Sequence, residues 1–191
     1  MSKGRIEAFS DGVLAIIITI MVLELRAPHE ATLQALVPLI PVFLSYALSF
    51  VFVGIYWNNH HHLFQAIKQV DGRVLWANLH LLFWLSLIPF TAAWIGEHPT
   101  GAWPTALYGI VLLFAGIAYY ILTRALVSLH GQGSTIATAV GNDVKGRISI
   151  VVYVMAVPLA FVSVWLAIAL YVAVAITWLV PDRRIEKTLR R

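Results

Sequence analysis

The sequence contains no cysteine, and charged residues occupy only 12% of its 191 positions. The absence of cysteine excludes disulfide bonds, iron–sulfur clusters and thiolate zinc sites. A soluble domain carries about 25% charged residues, so the shortage of charge argues against a soluble protein. Hydrophobic residues make up 60% of the chain, and the mean hydropathy is +0.84. The composition therefore predicts an integral membrane protein.

Other absences narrow the function. The nucleotide-binding patterns GxxxxGK and GxGxxG are missing, and no extramembrane segment is long enough to form a domain. Beyond the first apolar stretch, the predicted membrane segments hold no carboxylate, which argues against a proton- or sodium-coupled carrier. A cleaved signal peptide is not expected, because Asp11 interrupts the charged-to-apolar transition and no A-x-A-like site follows.

Long apolar stretches predict the transmembrane helices. A spanning helix needs about 20 mostly apolar residues, and four stretches meet this requirement, at about 9–25, 37–57, 76–95 and 103–127. A fifth stretch, 148–180, fits either one very long helix or two short ones that separate near Pro158 and Ser163. We predict two helices, at about 148–162 and 165–180, and hence an all-α protein with six transmembrane helices. The sequence contains no TVGYG motif, and no re-entrant pore loop is expected.

The distribution of basic residues favours the six-helix prediction. Cytoplasmic loops of membrane proteins carry an excess of lysine and arginine. With six spans and both termini in the cytoplasm, only Arg26 lies outside. The twelve basic residues on the inside are Lys3, Arg5, Lys68, Arg73, Arg124, Lys145, Arg147, Arg183, Arg184, Lys187, Arg190 and Arg191. A five-helix chain would place the last five of them outside.

The remaining segments fit a multi-pass protein of the cell membrane. Trp165 lies at the predicted turn between the last two helices, at the headgroup depth that tryptophan prefers. The segment 130–147 is rich in glycine and small polar residues, and it is predicted to be a cytoplasmic linker. The segment 181–191 is predicted to be a basic cytoplasmic tail.

The sequence YWNNHHHLF, at 56–64, suggests a metal site. Successive residues of a helix lie about 100° apart, so His60, His61 and His62 cannot all bind one ion. The other histidines are isolated along the chain. We therefore predict neither a metal nor another cofactor, and a histidine-dependent membrane enzyme stays a minor alternative. Polar residues at the inner end of the second helix are the favoured interpretation of this run.

Charged residues precede the first apolar helix, in the sequence RIEAFSDG. Arg5 and Asp11 are six residues apart, about 240° around a helix, so they do not pair on one face. Glu7 and Asp11 are four residues apart and repel each other. Each charge is expected to find a partner on another helix or subunit. Candidates at the same depth are Asn58, Asn59, His60, His61, Asn78 and His80.

The first helix itself is apolar on every side from Gly12 to Leu25, apart from Thr19 and Glu24. Its residues 12, 16, 19 and 23 follow one stripe, with 20 beside it and Leu14 about 160° away from residue 16. Periodicity does not choose a face on such a helix, so an ordinary packed or lipid-facing helix remains open at this point.

The pattern Arg5-x-x-x-Phe9-Ser10-Asp11, followed by GVLAIIIT, resembles the RxxxFSD signature of the transmembrane protein 175 family of potassium channels. The resemblance extends to WNNHHHLF, NLHLLFWLSLIPFTA and YVAVAITWLVPDRRIE. It implies a homotetramer in which the first helix of each subunit lines a central pore. The implied constriction consists of Ile16, Thr19, Ile20 and Leu23, with a transient potassium ion near Thr19. The implied structural network consists of Arg5, Phe9, Ser10, Asp11, His61 and Asn78.

The resemblance predicts a channel that is weakly selective for potassium over sodium and has an apolar isoleucine ring as gate and filter. Apolar constrictions gate by excluding water, so the lining needs no charge. Substitution of Leu14, away from this ring, is expected to leave permeation unchanged. Expected partners are other copies of the chain, the lipid bilayer and potassium ions, with no nucleic acid. The alternative is a small secondary transporter with a cavity inside the helix bundle.

Overall fold

A computed structural model describes residues 3–141 and 143–179, of which residue 139 is placed in its backbone only. The predicted tail 181–191 lies outside the described residues. Within them the chain is helical and contains no strand, which confirms the predicted all-α class. The helices are α1 Lys3–Leu23, α2 Ile40–Gln65, α3 Gly72–Ser86, α4 Ile88–Glu97, α5 Ala102–His130, α6 Thr135–Val140, α7 Val144–Leu159 and α8 Val164–Leu179. A 3₁₀ helix, Leu33–Leu39, runs directly into α2.

Local sequence signals account for the helix boundaries. Asp71 caps α3 by accepting a hydrogen bond from the Val74 N–H at 2.9 Å, and Asp143 caps α7 by accepting from the Gly146 N–H at 3.1 Å. Such caps satisfy amide groups that have no partner inside the helix. Pro89 lies in the first turn of α4. The missing N–H of proline is tolerated at this position, but a proline interrupts a helix that would otherwise continue from α3. The predicted third span is therefore two helices with a break at Leu87.

Among the described residues, four helical stretches are long and apolar enough to cross a membrane: Lys3–Leu23, Leu33–Gln65, Gly72–Glu97 and Ala102–His130. The last three contain the second, third and fourth predicted spans and extend beyond them. The first begins before the predicted span and ends two residues before its predicted end. α7 and α8 have 16 residues each, about 24 Å of helix, and residues 160–163 separate them. A fifth and a sixth crossing stay predictions.

The buried side chains form two clusters. One joins α1, α2, α3 and α5, and it includes Ile136 of α6, the short helix within the predicted linker. The other joins α2, α4, α5, α7 and α8 around Tyr108 and Tyr171. Both phenols are hydrogen-bonded, Tyr108 with Ser49 at 2.9 Å and Tyr171 to the Thr105 carbonyl at 3.2 Å. Because α5 belongs to both clusters, it links the layer that holds α1 to the α7–α8 pair.

Candidate functional site

One face of α1 is buried inside the subunit. Its side chains recur every three or four residues, as expected for one side of an α-helix. They are between 0% and 6% exposed and pack against α2, α3 and α4. The buried residues are Ile6, Ser10, Leu14, Ile17 and Met21. Leu14 therefore lies away from the predicted pore stripe, although its burial means that it supports the fold.

Another face of α1 is exposed among the residues that the structure describes. Ile16 is 58% exposed, Ile20 44% and Leu23 76%, and Thr19 is also exposed. The centre of these four positions lies about 130° from the centre of the buried face, at 100° per residue. All four residues predicted to line a pore are thus on the side of α1 that the subunit leaves open. A face of this composition can contact lipid, another copy of the chain, or water in a pore.

Thr19 is the polar exception on this face. Its hydroxyl donates a hydrogen bond to the Ile16 carbonyl, at 2.9 Å, within the same helix. A hydroxyl has one donor and two acceptor lone pairs. With the proton used inside the helix, an oxygen lone pair is left for the open side. Such an oxygen is a suitable ligand for a hard monovalent cation.

A groove of about 680 Å³ runs between the open face of α1 and α4. Ile16 and Ile20 line one wall, and Phe90 and Trp94 line the other. The walls are mainly apolar, but carboxylates occur at one end. The open face of α1 is therefore continuous with a concave surface that accommodates large apolar side chains.

A buried polar chain ties the base of α1 to two other helices. The Asn78 amide of α3 donates to the Ser10 hydroxyl at 2.9 Å, and its oxygen lies 2.8 Å from Nε2 of His60 on α2. The His60 ring also stacks on Phe64, with centroids 4.3 Å apart. Ser10, His60 and Asn78 are each at most 2% exposed. Buried polar groups are costly without partners, so these three groups fix the orientation of α1.

Ser10 and Asn78, two residues of the predicted network, are hydrogen-bonded to each other, and the histidine bound to Asn78 is His60, whereas the predicted network names His61. His61 does not contact Asn78; it is hydrogen-bonded to Gln65 at 2.7 Å and stacks on the Trp57 ring. One residue along a helix changes the direction of a side chain by about 100°. The sequence offered three consecutive histidines at the same depth, and only the packing of α2 against α3 selects His60.

Asp11 has a partner that sequence reasoning missed. The Trp57 indole donates to Oδ1 of Asp11 at 3.1 Å, at an exposed position. The signal available in the sequence was that an indole N–H in a membrane helix usually requires an acceptor, and a carboxylate lies at the same predicted depth.

Arg5 and Phe9 lie at the surface of the subunit. Phe9 is 54% exposed, and Arg5 is exposed as well. In the ranges 3–141 and 143–179, no hydrogen bond or ion pair involves the Arg5 side chain. The expectation that the partner of Arg5 belongs to another subunit therefore stays a prediction.

The three histidines of the HHH run have different surroundings. His60 binds Asn78 and His61 binds Gln65, whereas Nδ1 of His62 is buried without a hydrogen-bond partner. Among the residues that the structure describes, no three His, Cys, Asp or Glu side chains are grouped so that they could hold a metal ion. The rings of His60 and His61 stack on Phe64 and Trp57, respectively, near the C-terminal end of α2.

Comparison with known proteins places this geometry in a family. The family model described as endosomal/lysosomal potassium channel TMEM175 matches residues 5–89. A potassium channel from Chryseobacterium sp. (strain P1-3) is 53% identical over 190 residues, which cover 100% of this chain and 99% of the relative. A potassium channel from Chamaesiphon minutus (strain ATCC 27169 / PCC 6605) is 30% identical, with 91% of both chains covered.

A solved structure is similar over nearly the whole chain. It is the crystal structure of a lysosomal potassium-selective channel TMEM175 homolog from Chamaesiphon minutus, and its TM-score with this chain is 0.79. The sequences are 31% identical, and the match covers 92% of this chain and 95% of that chain. The similarity therefore includes the α5–α8 half of the subunit, which the family model does not reach.

Proposed function

Because this chain belongs to the TMEM175 potassium-channel family, we propose that it is a potassium channel in which four copies place α1 around one central pore. It is a multi-pass membrane protein. The observation that carries the proposal is the open face of α1, where Ile16, Thr19, Ile20 and Leu23 are exposed among the described residues of the subunit. Four such faces around an axis produce a narrow, mostly apolar pathway.

The constriction is proposed to form at Ile16, with Ile20 and Leu23 extending the apolar wall. Four isoleucine side chains that converge on an axis exclude water unless they rotate apart, so the same ring acts as gate and filter. Thr19 is proposed to supply oxygen ligands to a partly dehydrated potassium ion. Its internal hydrogen bond to Ile16 supports this role, because it orients the hydroxyl and directs the proton away from the cation. A single hydroxyl ring predicts weak selectivity over sodium.

The base of α1 is proposed to hold each pore helix at a fixed rotation. Ser10, Asn78 and His60 lock it from inside the subunit, and Trp57 holds Asp11 at the surface. Arg5, exposed and without a partner in the described part of its own subunit, is proposed to contact the neighbouring subunit. A rotation of about 130° would exchange the pore face for the buried face, so this lock is proposed as a condition for conduction.

The proposed orientation places both termini in the cytoplasm of a cell membrane, with six crossings. The twelve-to-one distribution of basic residues supports it. α7 is shorter than an ordinary spanning helix, and a short helix is accommodated by local thinning of the bilayer or by flanking polar residues. Vesicles of known sidedness test the orientation with a C-terminal tag. A tag that is reachable only from outside would contradict six spans.

The proposed function is tested with purified protein in planar bilayers. The expected results are single-channel currents and a reversal potential, in asymmetric potassium and sodium, that favours potassium. Coupled flux of ions without unitary currents would instead support the transporter alternative. A reversal potential near zero would remove the selectivity part of the proposal while leaving conduction intact.

The absence of cysteine allows a clean test of the tetramer and its axis. Ile16→Cys places one thiol per subunit on the open face of α1, and oxidation is expected to link subunits into covalent dimers. The matched control is Ile148→Cys on α7, because both isoleucines are 58% exposed. Equal cross-linking at the two positions, or cross-linking at Ile148 alone, would place the subunit axis elsewhere.

A further inference from the structure

A second polar feature lies far along the chain from the α1 base. A cavity of about 170 Å³ opens where α5, the end of α6 and the start of α7 meet. Arg124 and Tyr120 of α5 form one wall, and Arg147 of α7 together with Gly141 forms the other. Two arginines from different helices thus face one space.

Three side-chain donors in this cavity, from Tyr120, Arg124 and Arg147, have no partner in the part of the chain that the structure describes. No hydrogen bond or ion pair involves the side chain of Arg124 or Arg147, or the hydroxyl of Tyr120, and both arginines are exposed. Each guanidinium offers five N–H donors in a fork that matches the oxygens of a phosphate. The Thr123 hydroxyl lines the cavity too, but it donates to the Tyr119 carbonyl at 2.9 Å.

Charge limits the choice of ligand. The Asp143 carboxylate also lines the cavity, and it accepts a hydrogen bond from the Gly146 N–H at 3.1 Å. The two guanidinium groups outnumber the one carboxylate in the lining, so the cavity favours an anion. The single negative charge of a phosphodiester is sufficient to pair with such a lining.

The depth of the cavity identifies the source of the phosphodiester. α5 has 29 residues, about 43 Å of helix, which matches a whole bilayer with its headgroups. Arg124 lies six residues before the end of α5 at His130, or about 9 Å. In an untilted helix this is the boundary between headgroups and hydrocarbon, where a long arginine side chain reaches outward.

We propose that Arg124, Arg147 and Tyr120 bind the headgroup phosphate of an anionic phospholipid at the junction of α5, α6 and α7. Basic pockets between membrane helices on the cytoplasmic side are suited to such headgroups. The bound lipid links the α6 segment to α5 and α7, and so it stabilises the half of the subunit that does not include α1. The site is independent of conduction and is tested without measuring currents.

The experiment measures the melting temperature of the detergent-purified chain during titration with phosphatidylglycerol or with phosphatidylcholine of the same acyl chains. The wild-type protein is expected to show a saturable increase with phosphatidylglycerol alone. In the double variant R124Q/R147Q, the apparent dissociation constant for phosphatidylglycerol is expected to be larger by about tenfold or more, because charge-assisted bonds to phosphate are lost. The single variants R124Q and R147Q are expected to lie between the two.

The matched control is K68Q/R73Q, which removes the same charge from exposed positions outside the cavity. It is expected to keep the wild-type response. Three results would overturn the proposal: an equal response to phosphatidylcholine, an unchanged response in R124Q/R147Q and its singles, or an equal loss in K68Q/R73Q. Inorganic phosphate alone is a further arm, and the same shift at the same concentration would identify free phosphate as the ligand and overturn the lipid assignment.

Discussion

The two faces of α1 have similar amino acids but opposite environments. Leu14, Ile17 and Met21 are at most 3% exposed within the subunit, whereas Ile16 and Leu23, on the other side of the same helix, are more than half exposed. The buried face is also the one that carries the polar bonds of Ser10. The comparison teaches that one apolar helix can serve stability on one side and, as proposed, permeation on the other.

The largest expected effect comes from Leu14→Ala, on the buried face. Removal of a buried leucine costs about 2–5 kcal/mol, a large share of a typical stability of about 5–15 kcal/mol. Leu14→Ala is therefore expected to lower the stability of the protein, although Leu14 lies away from the proposed pore. Thermal unfolding of the purified protein measures it, with Leu23→Ala on the open face as control. Equal destabilisation by Leu14→Ala and Leu23→Ala would contradict the proposed difference between the two faces of α1.

The second-largest effect is expected from His60→Ala, in comparison with the same change at the adjacent His61. His60→Ala leaves the buried oxygen of Asn78 without its partner, which costs about 1–3 kcal/mol. His61→Ala removes a bond at an exposed position and is expected to cost less than 1 kcal/mol, as is usual for surface substitutions. The melting temperatures of the two variants provide the measurement. A lower stability for His61→Ala would show that His61, as first predicted, is the member of the network.

Ile16→Asn is expected to change permeation severalfold and stability little. A polar side chain at the proposed constriction lowers the barrier to wetting, so leak current rises and discrimination against sodium falls. Ile148→Asn, at a residue of equal exposure on α7, is the control for nonspecific effects of a polar side chain in the membrane. Conductance and permeability ratios of both variants measure the effect. Altered permeation in Ile148→Asn alone would assign the pore to another helix.

The smallest effect is expected from Thr19→Val, which keeps the shape of the side chain and removes the hydroxyl. In the proposed tetramer the substitution removes four hydroxyls, each worth about 0.5–1.5 kcal/mol as a neutral contact. Because potassium and sodium both lose these contacts, only the difference between the two ions affects selectivity, and the potassium-to-sodium permeability ratio is expected to fall by up to about tenfold. Pore width, measured by the largest permeant cation, is expected to stay constant. Thr19→Ser keeps the hydroxyl and is expected to keep most of the selectivity. A selectivity loss of the same size in Thr19→Ser would point to packing instead of the hydroxyl.

Much of the architecture was predictable from the linear sequence. The all-α class and the family were predicted correctly, and the four long apolar stretches contain helices at the predicted places. The prediction was less successful within the third stretch, where it placed one helix and the structure has a break at Leu87. Hydropathy averages over a window, so it does not detect a proline that interrupts a helix without changing its apolar character.

The sequence by itself determined the properties that add up along the chain. Apolar content marked the membrane helices, charge asymmetry predicted their orientation, and RxxxFSD pointed to the family. These quantities need no knowledge of which residues meet in space, because the bilayer acts on each segment separately. The same reasoning included His60 and Asn78 among the polar groups expected at the depth of the α1 base.

Only the tertiary structure decided which side of α1 is open and which histidine binds Asn78. An all-apolar helix has no polar side to indicate its orientation, so only the packing of α2, α3 and α4 separates Leu14 from Ile16. Likewise, His60 and His61 differ by about 100° of rotation and by nothing in composition. Rotation about a helix axis is set by the neighbours of the helix, and for that reason contacts between helices, rather than the order of residues, decided both assignments.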